Sequence, residues 1–422
     1  MKKKLLIILG AGSSVEQRVP SVRDIDEQMI GWARKWAIDT GYQDYFGKLW
    51  IAVSKYYSTG DRRYRPGPDF EKVLGEMVAL SHWMTPAPWG DSLRETACGG
   101  CAPPDLEFPV HPFVEYAPYN ATIAIEDQKD TLLETLAKHM RAASLRIDPA
   151  AEAAKRYRRL VDGLRDAFDV GIYNLNYDTA AINAWPGAYT GFGASGRFEP
   201  QAVHRRAEWN FIYHLHGSVH HSLSHEHSGD IRWRNDLSDA AHFFDKPVTS
   251  AGDKRSEGRA FSSGTLIAGG YKLDQLLIEP FHSFQAALIR HVYSADAILV
   301  GGYGFADVHI NRTLQNRVGT SAGRVPVMVL DYAPPKTDPM MFRHDPWAYA
   351  LSSTLVAPGD FFRAFGSSSA PQPTELAAEK AFEISAQHKV AIWHAGFTSA
   401  ATAIDRIGPW LSGEPDDVLA ET

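Results

Sequence analysis

The chain opens on a buried-strand signal that ends in a glycine turn, and no other stretch constrains the fold as strongly. Leu5-Leu6-Ile7-Ile8-Leu9 is apolar at every position, without alternation. A strand covered by helices on both faces reads this way, whereas a strand with one wet face alternates. Gly10-Ala11-Gly12-Ser13-Ser14 follows at once, and Pro20 then precedes a helical pattern over Ser21 to Ile38. Strand, glycine turn and helix in that order predict the first unit of a nucleotide-binding α/β domain. A tight turn that binds nothing is the alternative, and the turn alone does not choose between them. The full G-x-G-x-x-G fingerprint is broken, because Val15 stands in the place of its third glycine. No acidic residue is clearly placed after a second strand to hold a ribose, so a hydride-transfer dehydrogenase is not indicated.

Further apolar runs predict four more strands, at Asp169 to Asn174, Phe211 to His216, Ala297 to Gly302 and Val325 to Leu330. Helical segments separate most of them, which predicts a Rossmann-like parallel sheet with crossovers. Between the first two strands the sheet signal fades. Aromatic-rich helical patterns run over Tyr42 to Tyr57, Asp69 to Trp83 and Thr122 to Arg146, with a Pro/Gly/Cys-rich loop at Thr85 to Pro112. The expected organisation is an α/β domain over 1–335, carrying a large helical insertion at about 40–165. Another helix is expected at Ala151 to Ala167, and loops or a small accessory element over 218–262. A linker at 366–373 and an Ala/Glu-rich helix at Thr374 to His388 predict a short helical C-terminal extension over 336–422.

Charge and cysteine content narrow the class. Lys+Arg 43 against Asp+Glu 50 leaves the 422-residue chain at −7, with no basic surplus to draw it onto nucleic-acid phosphates. No direct nucleic-acid motif is found. Two cysteines, Cys98 and Cys101, make no disulfide framework. No apolar run reaches the roughly 18–20 residues of a membrane span. Met1-Lys2-Lys3-Lys4 before five apolar residues imitates a signal peptide, but the run is short and no cleavage pattern follows. A cytoplasmic protein with no membrane partner is therefore expected.

Two of the later strands end in polar clusters, Asn174-Leu175-Asn176-Tyr177-Asp178 and His214-Leu215-His216-Gly217-Ser218. Ligands of parallel sheets sit at the carboxyl ends of the strands, so both clusters are expected beside Gly10 to Ser14. The combination suits attack at a ribose carbon. Asn176 can hold a ribose hydroxyl or a water through donor and acceptor together. His216 can take a proton near neutral pH, and Asp178 can orient either one. Taken singly, turn hydrogen bonding accounts for Asn174 and Asp178 equally well, and with 17 histidines one His in a turn says little. At a strand's period of two, His214 shares a face with His216 and is the second candidate for the base.

These residues resemble the sirtuins, a family of NAD-consuming proteins. Gly10-Ala11-Gly12-Ser13 followed by Pro20-Ser21-Val22-Arg23 is similar to the family's GAG turn and Pro-x-Phe-Arg element, with Val22 in place of Phe. Asn174-Leu175-Asn176-Tyr177-Asp178 resembles its Thr-Gln-Asn-Ile-Asp, and His216-Gly217 its His-Gly. Gly301-Gly302-Tyr303-Gly304-Phe305, followed by Asp307 and Asn311, resembles its late glycine-rich turn. The order is the same, and the likeness covers roughly 1–30 and 165–335. The four-cysteine zinc ribbon of the deacylating members is missing, so no metal is expected and protein deacylation is the lesser expectation.

What remains is similar to the bacterial antiphage-defence branch, whose activity is hydrolysis of NAD. The resemblance implies an NAD glycohydrolase with NAD as substrate and Asn176, His216 and Asp178 as its catalytic residues. Gly10, Ala11, Gly12 and Ser13 would cradle the diphosphate, and Arg23 would close over the nicotinamide. Gly302, Tyr303 and Gly304 would meet the adenosine end, although Tyr303 reads equally as a core aromatic. It also implies a homo-oligomer or a partner subunit, such as a HerA-type DNA-translocating ATPase or a short Argonaute. A deacylase and a non-catalytic NAD or ADP-ribose sensor are the alternatives.

Overall fold

The computed structural model describes residues 2–58, 67–84, 117–224, 230–254, 260–269, 272–318, 325–333, 346–356, 382–385 and 388–419. The loop bearing Cys98 and Cys101 and the linker at 366–373 lie outside the described residues. The chain divides into two compact units. The first comprises Met1–Ser21, Ala142–Ser218 and Pro280–Thr422, and the second Val22–Arg141 and Val219–Glu279.

The first unit is built on the strands that the apolar runs predict. They are β1 (Lys3–Leu9), β2 (Phe168–Asn174) and β3 (Asn210–His214), and, later in the chain, β8 (Ala297–Gly301) and β9 (Val327–Leu330). Leu5 to Leu9 are at most 2% exposed, as a strand covered on both faces requires. The helix Glu152–Ala167 buries Tyr157, Leu160, Val161 and Leu164, which is one stripe at helical spacing. Helices Phe281–Ser294, Val308–Val318 and Pro346–Leu355 also belong to this unit.

The C-terminal part departs from expectation. Two strands, β10 (Phe382–Ile384) and β11 (Val390–Trp393), stand where a helical extension was predicted. They complete a seven-stranded sheet of order β10-β11-β9-β8-β1-β2-β3. Every neighbouring pair is parallel except β10 with β11. Val390-Ala391-Ile392-Trp393 is too short for periodicity to separate strand from helix. Its state is decided by the open edge of β9, which supplies hydrogen-bond partners.

The second unit holds the helices Val22–Thr40, Tyr45–Ser58 and Phe70–Met84, and most of Ala117–Leu145. The stretch expected as loops or a small accessory element forms two ribbons, β4 (His221–Leu223) with β5 (Ile231–Trp233) and β6 (Val248–Lys254) with β7 (Ala260–Ser263). Arg141 reaches into this region. Its guanidinium donates two hydrogen bonds to the Asp245 carboxylate, at 2.7 and 3.0 Å, and a third to the carbonyl of Val219. Both side chains are buried, so the bidentate geometry, the Val219 carbonyl and the Phe243 ring under the guanidinium together offset the loss of water.

Asp26 carries a pH-dependent part of this unit's stability. Its carboxylate accepts the N–H of Phe70 at 2.7 Å, where the helix Phe70–Met84 begins. Burial pushes the carboxyl up to about 6 against the pull of that N–H. The folded chain therefore holds this proton more tightly than the unfolded chain, whose carboxyl titrates near 4. The linked stability is present below pH ~4 and is lost as pH rises toward about 6. Asp26→Asn keeps an oxygen for Phe70 and removes the charge. It is expected to stabilise the protein at pH 7.5 by up to about 1 kcal/mol, a figure discounted because the site is half-exposed. The gain should vanish at pH 4. Urea unfolding of both proteins at the two pH values checks it, and a destabilised variant at pH 7.5 would contradict the assignment.

Candidate functional site

Parallel register aligns the ends of six strands. Leu9 is opposite Asn174 and Gly301, Asn174 is opposite His214, and Gly301 is opposite Leu330, which faces Trp393. The residues that follow each strand therefore emerge along one rim of the sheet. Gly10, Asn176, His216 and Gly302 all belong to it. The sheet order also reverses at β1, with β2 on one side and β8 on the other, and ligands of open α/β sheets sit at such a point.

At that point the glycines meet each other. The N–H of Gly10 donates to Gly301 O and the N–H of Gly12 to Gly302 O, both at 2.9 Å. A Cβ on Gly10 would stand 2.7 Å from Gly302 O, and one on Gly12 would stand 2.9 Å from Gly302 Cα. Part of the glycine signal is thus explained by two loops pressed backbone to backbone. Ala11 and Gly12 remain exposed at the lip of the rim, while Ser13 is buried. The helix expected over Ser21 to Ile38 is present as Val22–Thr40, and two 3-10 turns, Ala11–Ser13 and Val15–Gln17, stand between it and the glycines. The first α-helix, Val22–Thr40, belongs to the second unit, and Arg23 lies exposed on it.

Asn176 locks this turn. Its side-chain Nδ2 donates to Gly10 O at 2.9 Å, Ser13 Oγ at 3.0 Å and Ser14 Oγ at 3.1 Å. A carbonyl can only accept, so the nitrogen of the amide must face Gly10. Among the described residues no group donates to Asn176 Oδ1, which leaves an acceptor for a ligand. Ser14 passes its own hydroxyl proton on to Asp178 Oδ1 at 3.1 Å, and the N–H of Ala180 donates to the same oxygen at 2.8 Å. Asp178 is fully buried. Burial raises its carboxyl above the ordinary range, and the Ala180 N–H and the Ser14 hydroxyl oppose that rise. Its place is under the turn, as a support.

The histidines divide. His214 is buried between Asn174 and the backbone of the next turn, with Nδ1 3.3 Å from Asn176 O. His216, also buried, approaches a residue that the sequence reading did not single out. Its Nε2 lies 3.5 Å from Nε2 of His309 and 3.9 Å from Asp307 Oδ1. Asp307-x-His309 follows the late glycine turn, and a histidine two residues past a noted aspartate was the available signal.

Tyr303 packs into the first unit. It is buried, and its hydroxyl accepts the N–H of Asp307 and donates to Asn311 Oδ1 at 2.9 Å. Trp347 Nε1 donates to its carbonyl at 3.1 Å. Gly304 is exposed, with nothing within 4 Å of where a Cβ would stand. The sequence reading also missed the C-terminal contribution. Thr398 donates its N–H and its hydroxyl to Glu16, just past the glycine turn. Phe397 packs on Tyr157 and covers Gly301, where a Cβ would lie 2.4 Å from its ring.

Residues 170–345 match the family model of a SIR2-like domain. The matched span holds both polar clusters and the late glycine turn; β1 and the first glycine turn precede it. No curated protein matches the chain. Among solved structures, a Sir2 homolog–NAD complex is similar at 13% identity and a TM-score of 0.34, covering 79% of this chain and 80% of that one. A mutant Sir2 homologue in complex with ADP ribose is similar at 13% identity and a TM-score of 0.35, covering 79% and 82%.

Proposed function

We propose that this rim binds NAD and cleaves its nicotinamide–ribose bond with water, releasing nicotinamide and ADP-ribose. The observation that carries the reading is the registration of the Asn176 turn, the His216 turn and the glycine turn along one end of the sheet. The match of residues 170–345 to a SIR2-like domain supports the substrate class. Cleavage leaves an oxocarbenium-like ribose and a neutral base. The backbone at Ala11 and Gly12 is open enough to approach a diphosphate. Asn176 Oδ1 would accept from a ribose hydroxyl or from the attacking water. His216 would take the proton that the water loses. Asp178 would hold the turn, and Gly302 and Gly304 would border the adenosine end. The part of Arg23 over the nicotinamide rests on the sequence resemblance.

The wider setting rests on that resemblance as well. It comprises depletion of NAD in antiviral defence, in the cytoplasm, by an oligomer or with a HerA-type ATPase or short Argonaute as partner.

The purified chain, incubated with NAD, is expected to release nicotinamide without any acyl-lysine peptide, as followed by chromatography. Release only when such a peptide is added would replace this reading with protein deacylation. Tight nucleotide binding without product at high enzyme concentration would replace it with a sensor.

A further inference from the structure

The late glycine turn brings a second imidazole to the rim. His309 stands in the first turn of the helix Val308–Val318, half-buried, with its ring centroid 5.5 Å from that of His216. The two Nε2 atoms lie 3.5 Å apart, at the outer edge of hydrogen-bond distance, and such bonds commonly tighten when substrate is bound. Asp307 Oδ1 lies 3.9 Å from the same His216 nitrogen.

The stretch that carries both residues is knotted in place. Tyr303 holds Asp307 N and Asn311 Oδ1 through one hydroxyl, Asn311 Nδ2 donates to Phe305 O at 2.7 Å, and Thr313 Oγ1 donates to His309 O at 2.8 Å. Phe305 sits at φ 54°, a left-handed conformation that a phenylalanine keeps only where its surroundings fix it. Two imidazoles held nitrogen to nitrogen cannot both be charged without repulsion, whereas one proton between them makes a charge-assisted hydrogen bond.

We propose that His309, with Asp307 beside it, is a positioning residue for His216: it holds the His216 ring by Nε2 and shares a proton with it. The two rings take up one proton between them before either takes a second. The role given to the pair rests on the NAD-cleavage reading of this rim. With Nε2 facing His309, His216 would take the water's proton on Nδ1 and give up its Nε2 proton to Nε2 of His309, which is the more exposed of the two. His309 and Asp307 face His216 from the late turn; its own strand end carries His214, and the neighbouring turn carries Asp178.

The test separates the pair from the reaction. The full chain, labelled in its histidine rings, is titrated by NMR, and His216 is assigned by the signal lost in His216→Gln. The wild-type pair is expected to titrate in two coupled steps separated by more than about one pH unit. In His309→Gln, the His216 signal should follow a single step with a displaced midpoint. Asp307→Asn, a milder change, should lower the first midpoint, since a carboxylate that favours the charged ring is gone. An identical single-step His216 curve in wild type and both variants overturns the proposal.

The kinetic arm is nicotinamide release against pH. The acid limb should move by about one unit in His309→Gln, while KM for NAD changes less than about threefold. An unmoved acid limb in a folded, active His309→Gln also overturns it. If the wild-type chain releases no nicotinamide, the cleavage reading fails, and the NMR titration still decides whether the two rings share a proton.

Discussion

His216→Ala is expected to lower nicotinamide release from NAD by about 10²- to 10⁴-fold, the range that general-base removal costs. The loss should fall on kcat, because the proton moves only as the bond to nicotinamide breaks. His214→Ala supplies the comparison. Its ring is held between Asn174 and the Asn176 backbone, so its loss should reduce stability more than chemistry. Asn176→Ala should fail in both respects. It removes the donor that Gly10 O, Ser13 Oγ and Ser14 Oγ share; Gly10 O keeps the N–H and hydroxyl of Ser13, while the two buried hydroxyl oxygens lose their incoming donor, at about 1–3 kcal/mol. It also removes the oxygen proposed to meet the ribose or the water. Asn176→Asp keeps the shape but sets an oxygen against Gly10 O, so it should not rescue. Full nicotinamide release by a folded His216→Ala protein would remove His216 from the chemistry.

Gly302→Ala is expected to destabilise the protein by roughly 2–5 kcal/mol, or to prevent folding. Gly302 sits at φ 58°, where a Cβ is itself unfavourable. That Cβ would stand 2.1 Å from Ser13 N and 2.4 Å from the carbonyl carbon of Gly12. These are backbone atoms, so no side-chain rotation relieves the clash. One loop must move, and the hydrogen bonds that tie the first glycine turn to Gly301 and Gly302 go with it. Gly304→Ala, two residues on, meets open space and should lie within about ±0.5 kcal/mol of wild type. Chemical denaturation of the two variants tests the contrast. If they prove equally stable, the close approach of the two turns is disproved. If Gly304→Ala stays folded but raises KM for NAD, a place for Gly304 beside the nucleotide gains support.

The glycines show how a motif can be legible while its cause is not. Gly10 and Gly12 stand out in the sequence as part of a cradle for a diphosphate, and Gly302 as a neighbour of the adenosine end. The structure adds a different reason for them, namely that the two turns pack against each other without side chains between. Asn176 is similar. Its position after β2 marks it as a candidate for a ligand, yet its donor side faces Gly10 and the two serines.

Local spacing was enough to determine the strands at 3–9, 168–174, 210–214, 297–301 and 327–330, because an unbroken apolar run has few ways to hide from water except as a covered strand. It was also enough to determine which polar residues follow those strands, and hence which share an end of a parallel sheet. Tertiary structure alone decided that Val390–Trp393 would join the sheet, that Thr398 would reach Glu16, and that His309 would stand against His216. Each of these contacts joins segments at least 60 residues apart in the chain. Side-chain period says which face a residue takes on its own element, but the partner across a rim is set by how whole strands and turns pack together, and no local pattern encodes that.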